Sequence, residues 1–151
     1  MSYQSIIEIF NVLEGEWSII RDISGYGQYQ GNAFFEKKNP YEISFFETGF
    51  TQTYLDKKIN SSQRYCYRLE NNFISVYFTH QEKLFYQLST LNFCNKFYAA
   101  TAEHQCLNDL YQITYYFYNN NHFDLIYIVR GPHKQYRSNS QFLRRGKKHG
   151  C

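Results

Sequence analysis

Proline and glycine are scarce in this sequence, whose 151 residues include two Pro and eight Gly. Fibrous and low-complexity disordered chains are much richer in both, so these classes are excluded. The sequence also lacks any apolar run approaching the roughly 18 residues that a membrane-spanning helix requires. It does not begin with the basic segment, apolar run and small-residue cleavage site of a signal peptide. We therefore expect a cytoplasmic protein with no membrane span.

Cysteine chemistry is equally limited. The four cysteines include no pair at Cys-x-x-Cys spacing, which argues against a zinc ribbon or a thioredoxin-like motif. Three soft metal ligands are not evident either, so no metal site is expected. In a cytoplasmic protein the thiols are expected to be reduced. The cysteines are Cys66, Cys94, Cys106 and Cys151.

Positive charge is modest and concentrated near the C-terminus. The net charge is +3, and the basic run over residues 144–148 accounts for much of it. Nucleic-acid-binding proteins usually show a denser basic patch, so we expect no nucleic-acid partner. The length fits one domain, which we place at residues 1–146, followed by a basic, solvated tail at 147–151.

Aromatic residues are abundant: they form 21% of the chain, with 16 Tyr and 14 Phe, and they favour strands. Apolar spacing over residues 3–13 predicts a short amphipathic helix. About ten short strands at roughly 8–12-residue spacing follow, a pattern typical of a sandwich or barrel. Short turns between successive strands favour an up-and-down antiparallel barrel. The predicted strands are 17–23, 28–37, 41–51, 63–69, 73–79, 83–90, 93–102, 109–118, 122–130 and 134–145, with a polar loop at 56–62.

Gly15-x-Trp17 after the helix, together with Arg144 near the end of the last strand, resembles the calycin superfamily of lipocalins and fatty-acid-binding proteins. The resemblance implies an all-β barrel of eight to ten strands with a short N-terminal helix. It also implies that the arginine packs across the tryptophan ring and closes the barrel. Such a cation–π contact is worth on the order of 1–2 kcal/mol when desolvated. Gly15, Trp17 and Arg144 are therefore expected to be structural.

A closer resemblance is to a mostly bacterial, lipocalin-like family known only as a domain of unknown function. The sequence departs from that pattern at Phe45, where a tyrosine is expected, at His133, and at Gln135, where an acidic residue is usual. The resemblance transfers a fold and a set of motifs, not a reaction. The matching motifs are Gly15-x-Trp17-x-x-x-Arg21-x-Ile23, Gly31-x-Ala33-x-Phe35, Phe45-x-Glu47-x-Gly49, Arg64-Tyr65-x-Tyr67, His104-x-Cys106-x-x-Asp109-x-Tyr111 and Gly131-Pro132-x-Lys134-x-Tyr136.

Arg21 shares a strand face with Trp17, which places a cation inside the predicted barrel. A buried charge must be paired, reach water or bind a ligand. We therefore predict a cavity that binds a small hydrophobic or aromatic anionic ligand. An alternative is that Arg21 or Arg64 pairs with Glu47 and serves folding only. The expected polar ligand-binding residues are Arg21, Arg64, Tyr65, Tyr67, His104, Tyr111, Lys134 and Tyr136, and the expected apolar lining is Trp17, Phe35 and Phe45.

Two functions of other classes stay open. Lipocalin-like barrels can act on small acids, so Glu47 could be the general acid or base of a lyase or isomerase that also uses Arg and Tyr. A barrel filled by its own side chains would instead serve a structural or interaction role. The enzyme hypothesis is not favoured over binding, and the sequence leaves a homodimer open.

The motif around His104 and Cys106 has several interpretations. Asp109 could orient a Cys/His nucleophile pair, which makes His104 a second catalytic candidate. His104 could instead contact a ligand, or a haem, since some calycin-like barrels bind haem through a single His; otherwise no cofactor is expected. The structural alternative makes Cys106 a small buried residue and lets Asp109 cap a turn. Gly131-Pro132 is expected to form a structural hairpin turn, with Lys134 and Tyr136 at the cavity mouth or floor.

Overall fold

The computed structural model describes residues 6–79, 83–89, 92–94 and 96–146. Within these residues one short helix precedes eleven strands. No helix in this part of the chain has the length and apolar character needed to cross a membrane. The elements are α1 (Ile6–Leu13), β1 (Gly15–Ile23), β2 (Gly27–Asn39), β3 (Glu42–Thr53), β4 (Lys58–Glu70), β5 (Phe73–Phe78), β6 (Lys83–Leu88), β7 (Asn92–Cys94), β8 (Phe97–Cys106), β9 (Asp109–Asn119), β10 (His122–Arg130) and β11 (Gln135–Arg144).

The strands form one antiparallel sheet in the order β6-β5-β4-β3-β2-β1-β11-β10-β9-β8-β7. The first and last strands pair with each other, with Trp17 opposite Arg144. The sheet curls until β6 lies against β8, although no ladder joins these two strands among the described residues. The predicted fold class, an antiparallel β-barrel with a short N-terminal helix, is confirmed.

Two local predictions were wrong. Residues 56–62 were expected to be a loop, but β4 begins at Lys58 and pairs with β3 from there onward. The error arose because the first half of β4 is exposed along its length and has no apolar alternation. The predicted strand at 93–102 is split into β7 and β8, with Lys96 at a φ of 75° between them. The helix begins at Ile6 in the described chain, and residues 3–5 and the predicted tail 147–151 lie outside it.

The helix covers one end of the barrel. Its residues Ile9, Phe10 and Leu13 are buried in the main hydrophobic core. Trp17 is fully buried below them and donates from Nε1 to the Leu13 carbonyl at 2.9 Å. The ring of Phe123 lies 4.8 Å from that of Trp17. This end of the barrel is therefore filled by side chains.

Arg144 joins the helix to the last strand. Its guanidinium lies 4.2 Å above the Trp17 ring and donates to the carbonyls of Glu14 (2.7 Å), Asn120 (2.9 Å) and Val12. Gly15 has a φ of +127°, and a Cβ there would lie 2.5 Å from Arg144 Nη1. Glycine is required at this position both by its backbone conformation and by the close approach of the arginine.

Candidate functional site

The barrel end opposite the helix contains an open cavity of about 380 Å³. Side chains that alternate along the strands point into it, since residues two apart share a strand face. Its wall combines aromatic rings with a few polar groups. The lining residues are Arg21, Ile23, Phe45, Glu47, Gln63, Tyr65, Tyr67, Phe78, Phe85, His104, Cys106, Tyr111, Leu125, Tyr127, Tyr136, Ser138, Ser140 and Phe142.

An ion pair between Arg21 and Glu47 lies in the cavity wall. Arg21 Nη1 donates to Glu47 Oε2 at 2.8 Å and Nη2 donates to Oε1 at 2.9 Å, while Nε donates to Ser140 Oγ at 2.6 Å. The Arg21 side chain is 19% exposed and that of Glu47 only 5%. Burial disfavours the guanidinium charge, but the hydrogen bonds and charge of Glu47 outweigh it and raise the pKa of Arg21. The Arg21 guanidinium is therefore charged, and its two-point ion pair with Glu47 compensates that charge.

Tyr29 and two glycines make room for this ion pair. The guanidinium of Arg21 lies 4.8 Å from the centre of the Tyr29 ring. Gly31 and Gly49 are paired across β2 and β3, and a Cβ on either would lie 2.7 Å from Tyr29 Cζ. The tyrosine ring thus covers a glycine pair, and the arginine lies over the ring. Burial and the nearby carboxylate of Glu47 raise the pKa of Tyr29.

Three buried tyrosines join their hydroxyl groups below the cavity. The Tyr115 hydroxyl is 2.9 Å from that of Tyr67 and is also hydrogen-bonded to that of Tyr86. Burial raises the pKa of Tyr67 to about 12 and places those of Tyr86 and Tyr115 well above their usual value. The hydroxyls are therefore neutral near pH 7 and provide polar groups without a net charge.

Six of the eight predicted ligand-binding residues that are polar or charged lie in the cavity wall together with Glu47. Tyr65 and Tyr67 come from β4, and Tyr111 and Tyr136 come from β9 and β11. Burial raises the pKa of Tyr65. The six are Arg21, Tyr65, Tyr67, His104, Tyr111 and Tyr136.

Arg64 does not line the inner cavity, so its expected place in the cavity wall was wrong, whereas its role in ligand binding stays a prediction. It is exposed, and its guanidinium lies 4.3 Å from the ring centre of Phe46. Because side chains alternate along a strand, Tyr65 and Tyr67 can face inward only if Arg64 faces outward. The alternative pairing of Arg64 with Glu47 is excluded for the same reason.

Lys134 is exposed and does not itself line the cavity, but it interacts with Tyr111, which does. The charges of Tyr111 first, and of Asp109 less strongly, raise its pKa. The Asp109 side chain also lies against the turn that precedes Lys134. A Cβ at Gly131 in this turn would be 1.8 Å from Asp109 Oδ1. Gly131 thus permits a close contact between β9 and the β10–β11 turn, in which Pro132 is exposed.

His104 lies among aromatic rings at the side of the cavity. Its ring centre is 5.0 Å from that of Phe85 and 5.8 Å from that of Tyr111. Burial, and then the charge of Lys83, lower the pKa of His104. Cys106 lines the same cavity but is exposed, so its interpretation as a small buried residue was wrong. It lies at the end of β8, where the strand reaches the barrel mouth.

The expected apolar lining was only partly placed. Phe45 lines the cavity, whereas Trp17 and Phe35 are in the filled core near the helix. Several lining residues were not predicted, although the alternation along β11 and β4 could have revealed some of them. On β11, for example, Ser138 and Ser140 share the strand face of Tyr136, which was predicted. Residues of β5, β6 and β10 gave no such signal: Phe78, Phe85, Leu125 and Tyr127.

The fold and its cavity define a curled antiparallel barrel with one closed and one open end. The chain belongs to a family of unknown function (DUF6314), whose model matches residues 13–144. No curated protein matches the sequence significantly.

One solved structure with low sequence identity shares the fold, and two further ones are similar to a lesser degree. The S-type phycobiliprotein lyase CPES from Guillardia theta is 11% identical and has a TM-score of 0.58, with 96% of this chain and 95% of the lyase covered. Two other structures, EF1p2_mFAP2b and the redesigned β-barrel mFAP0, both bound to DFHBI, are each 10% identical with TM-scores of 0.48. They cover 93% and 88% of this chain, and 100% and 99% of their own. At these identities the likeness concerns the fold alone.

Proposed function

We propose that this protein binds a small aromatic ligand that carries an anionic group, and that the ligand occupies the open cavity. The observation that carries the proposal is a cavity of about 380 Å³ whose wall contains both an ion pair and many aromatic rings. Ligand pockets in proteins span about 300–1,000 Å³ and combine an apolar wall with a few polar groups. The cavity agrees with this description in size and in composition.

The ring of the ligand would lie against the aromatic wall. Phe45, Phe78, Phe85 and Leu125 supply apolar surface on opposite sides of the cavity. Aromatic rings prefer edge-to-face or offset contacts with each other, which favours a flat ligand over a flexible chain. The lining tyrosines add hydroxyl groups that can bind a polar substituent.

Arg21 can orient such a substituent without acting as a free cation. A guanidinium has five N–H donors, and Glu47 and Ser140 accept from three of them. The remaining donors can bind a carbonyl or hydroxyl oxygen of the ligand. An anionic group has to be compensated elsewhere, because Glu47 already balances the charge of Arg21. The compensating cation must therefore lie outside the Arg21–Glu47 ion pair.

The proposal is tested with 8-anilinonaphthalene-1-sulfonate (ANS), a fluorescent probe with aromatic rings and one anionic group. We expect saturable binding to the purified chain and its loss in Ser138→Trp, because Ser138 is buried in the cavity wall and an indole would fill the space. Asn139→Trp is the matched control, since the neighbouring side chain is exposed. Equal binding by both variants, with thermal unfolding showing both to be folded, would overturn the proposal, as would the absence of binding to the wild-type chain.

A further inference from the structure

Among the described residues, the side of the barrel has a second opening, where β4 extends past its neighbour. β4 pairs with β3 from Lys58 onward, but its ladder with β5 includes only Tyr65 to Glu70. The part of β4 before Tyr65 therefore pairs with β3 along one edge but not with β5 along the other. Across the gap from this edge lies the end of β8, which carries His104 and Cys106.

This side opening forms a recess of about 420 Å³. It lies next to the inner cavity, because four side chains line both: Gln63, Phe78, His104 and Cys106. A ligand in the inner cavity would need to pass only these side chains to place a group in the recess. The recess is lined by Ser62, Gln63, Arg64, Phe78, Thr79, Lys83, His104 and Cys106.

The side opening has the character of an anion site. Arg64 and Lys83 supply two cations, and none of the described lining residues is a carboxylate. Arg64 is held in place by its contact with the Phe46 ring, at 4.3 Å. The hydroxyls of Ser62 and Thr79 and the amide of Gln63 add neutral groups that can donate to an oxyanion.

We propose that the side opening binds the anionic group of the ligand, a carboxylate, sulfonate or phosphate, while the aromatic rings of the same ligand occupy the inner cavity. This inference rests on the proposed function. It assigns the anion to Arg64 and Lys83 rather than to Arg21, whose charge is compensated by Glu47 at 2.8 Å. It also assigns the anion to the side opening rather than to Lys134, which does not line this recess.

The test compares two probes that differ by one charged group. ANS carries a sulfonate, and N-phenyl-1-naphthylamine has the same aromatic rings without it. In the double variant Arg64→Gln/Lys83→Gln we expect ANS to bind roughly tenfold more weakly, as two exposed ion pairs would give. The affinity for N-phenyl-1-naphthylamine should stay within twofold of the wild-type value.

Two control variants separate a local contact from a general change of charge. Lys37→Gln/Lys38→Gln removes the same charge from the end of β2, at the opposite end of the barrel, and should leave ANS binding within twofold. Lys134→Gln removes the cation beside Tyr111 and should also have a small effect. If Lys134→Gln weakens ANS more than the double variant does, the anion binds near Lys134 and the inference is wrong.

The outcomes also separate this inference from the proposed function. Binding of both probes that is lost in Ser138→Trp but insensitive to Arg64→Gln/Lys83→Gln would overturn only the assignment of the anion. Failure of both probes to bind the wild-type chain would overturn the proposed function and this inference with it. Equal weakening of both probes by the double variant would also contradict the inference, because the neutral probe has no anionic group to lose.

Discussion

Arg21 on β1 and Glu47 on β3 form a two-point ion pair that crosses over the intervening strand β2, with Nη1–Oε2 at 2.8 Å and Nη2–Oε1 at 2.9 Å. Gly31 on β2 pairs with Gly49 on β3, so no side chain from either position blocks the path between the two charges. The pair links strands that are not neighbours in the sheet. It therefore contributes to the shape of the cavity as well as to its polarity.

Removing one partner of this ion pair should destabilise the fold more than removing both partners. Glu47→Gln leaves Arg21 largely buried without its counter-ion, and we expect the free energy of unfolding to fall by about 2–4 kcal/mol. Arg21→Met/Glu47→Leu removes both charges and should cost less than Glu47→Gln alone. Urea unfolding monitored by circular dichroism measures both values.

An exposed ion pair provides the control for that experiment. Lys38 and Glu36 lie 3.2 Å apart with 49% and 74% of their side chains exposed. Glu36→Gln should change the free energy of unfolding by less than about 0.5 kcal/mol. A loss for Glu47→Gln no larger than this would show that the Arg21–Glu47 pair is not important for stability.

Gly49 should not tolerate any side chain. A Cβ there would lie 2.1 Å from the Gln30 carbonyl oxygen and 2.6 Å from Gly31 Cα, and backbone atoms cannot move away as a side chain can. We expect Gly49→Ala to lower the free energy of unfolding by about 3 kcal/mol. Adding Tyr29→Ala should not rescue it, because the clash with the backbone remains. Chemical unfolding of the single and double variants checks both statements.

Gly25 is the matched control for Gly49. Its φ is +70°, but a Cβ there would meet nothing within 4 Å. Gly25→Ala therefore suffers only the conformational cost, about 1 kcal/mol. Equal losses in Gly25→Ala and Gly49→Ala would mean that close approach of β2 and β3 does not explain the glycine pair.

The alternation of side chains explains which site residues the sequence could predict. Trp17 and Arg21 lie on one strand four residues apart, so their common face was correctly predicted from β1 alone. By the same rule, the Arg64 side chain cannot line the inner cavity if that of Tyr65 does, yet both were expected to line it. That error came from combining predicted residues of a strand without requiring one common face.

Other features depend on the pairing of distant strands and were not accessible from local patterns. Glu47 had two candidate partners in the sequence, and only the order of β1, β2 and β3 selects Arg21. Apart from Ile59, the first half of β4 is polar on both faces, so no periodicity indicated a strand there. The side opening follows from the offset between β4 and β5, which is a property of the ladder and not of either sequence segment.

Arg144 should contribute to stability mainly through the N–H donors of its planar guanidinium. It lies over Trp17 and donates to three carbonyls, one in the last turn of the helix (Val12), one between the helix and β1 (Glu14) and one between β9 and β10 (Asn120). We expect Arg144→Ala to lower the free energy of unfolding by about 2–4 kcal/mol. Arg144→Lys should recover only part of this loss, because an ammonium cannot reproduce the fork of donors. Trp17 is the only tryptophan, so its fluorescence reports the unfolding directly.

The adjacent residue tests whether the effect is specific. Arg145 has 52% of its side chain exposed and lies 3.8 Å from Glu16. Arg145→Ala removes the same kind of side chain and should cost less than about 0.5 kcal/mol. If Arg144→Lys is as stable as the wild type, a positive charge near Trp17 is sufficient and the carbonyl contacts contribute little.

The buried tyrosines should make the fold sensitive to alkaline pH. Burial raises the pKa of Tyr67 to about 12, whereas an unfolded chain has a tyrosine pKa of about 10. Below about pH 10 the hydroxyl is protonated in both states and stability is unaffected. Between about pH 10 and 12 the unfolded state loses its proton first, so the free energy of unfolding falls with rising pH. Tyr67 accounts for up to about 3 kcal/mol of that fall.

Tyr67→Phe isolates this contribution. At pH 8 the variant should be about 1 kcal/mol less stable, since the hydrogen bond to Tyr115 is lost. Above pH 10 its free energy of unfolding should fall less steeply than that of the wild type, by up to about 1.4 kcal/mol per pH unit. Urea unfolding at a series of pH values gives the slopes, with Tyr54→Phe, which removes an exposed hydroxyl, as the control. Identical slopes for Tyr67→Phe and the wild type would show that Tyr67 ionises in the folded chain as readily as in the unfolded one.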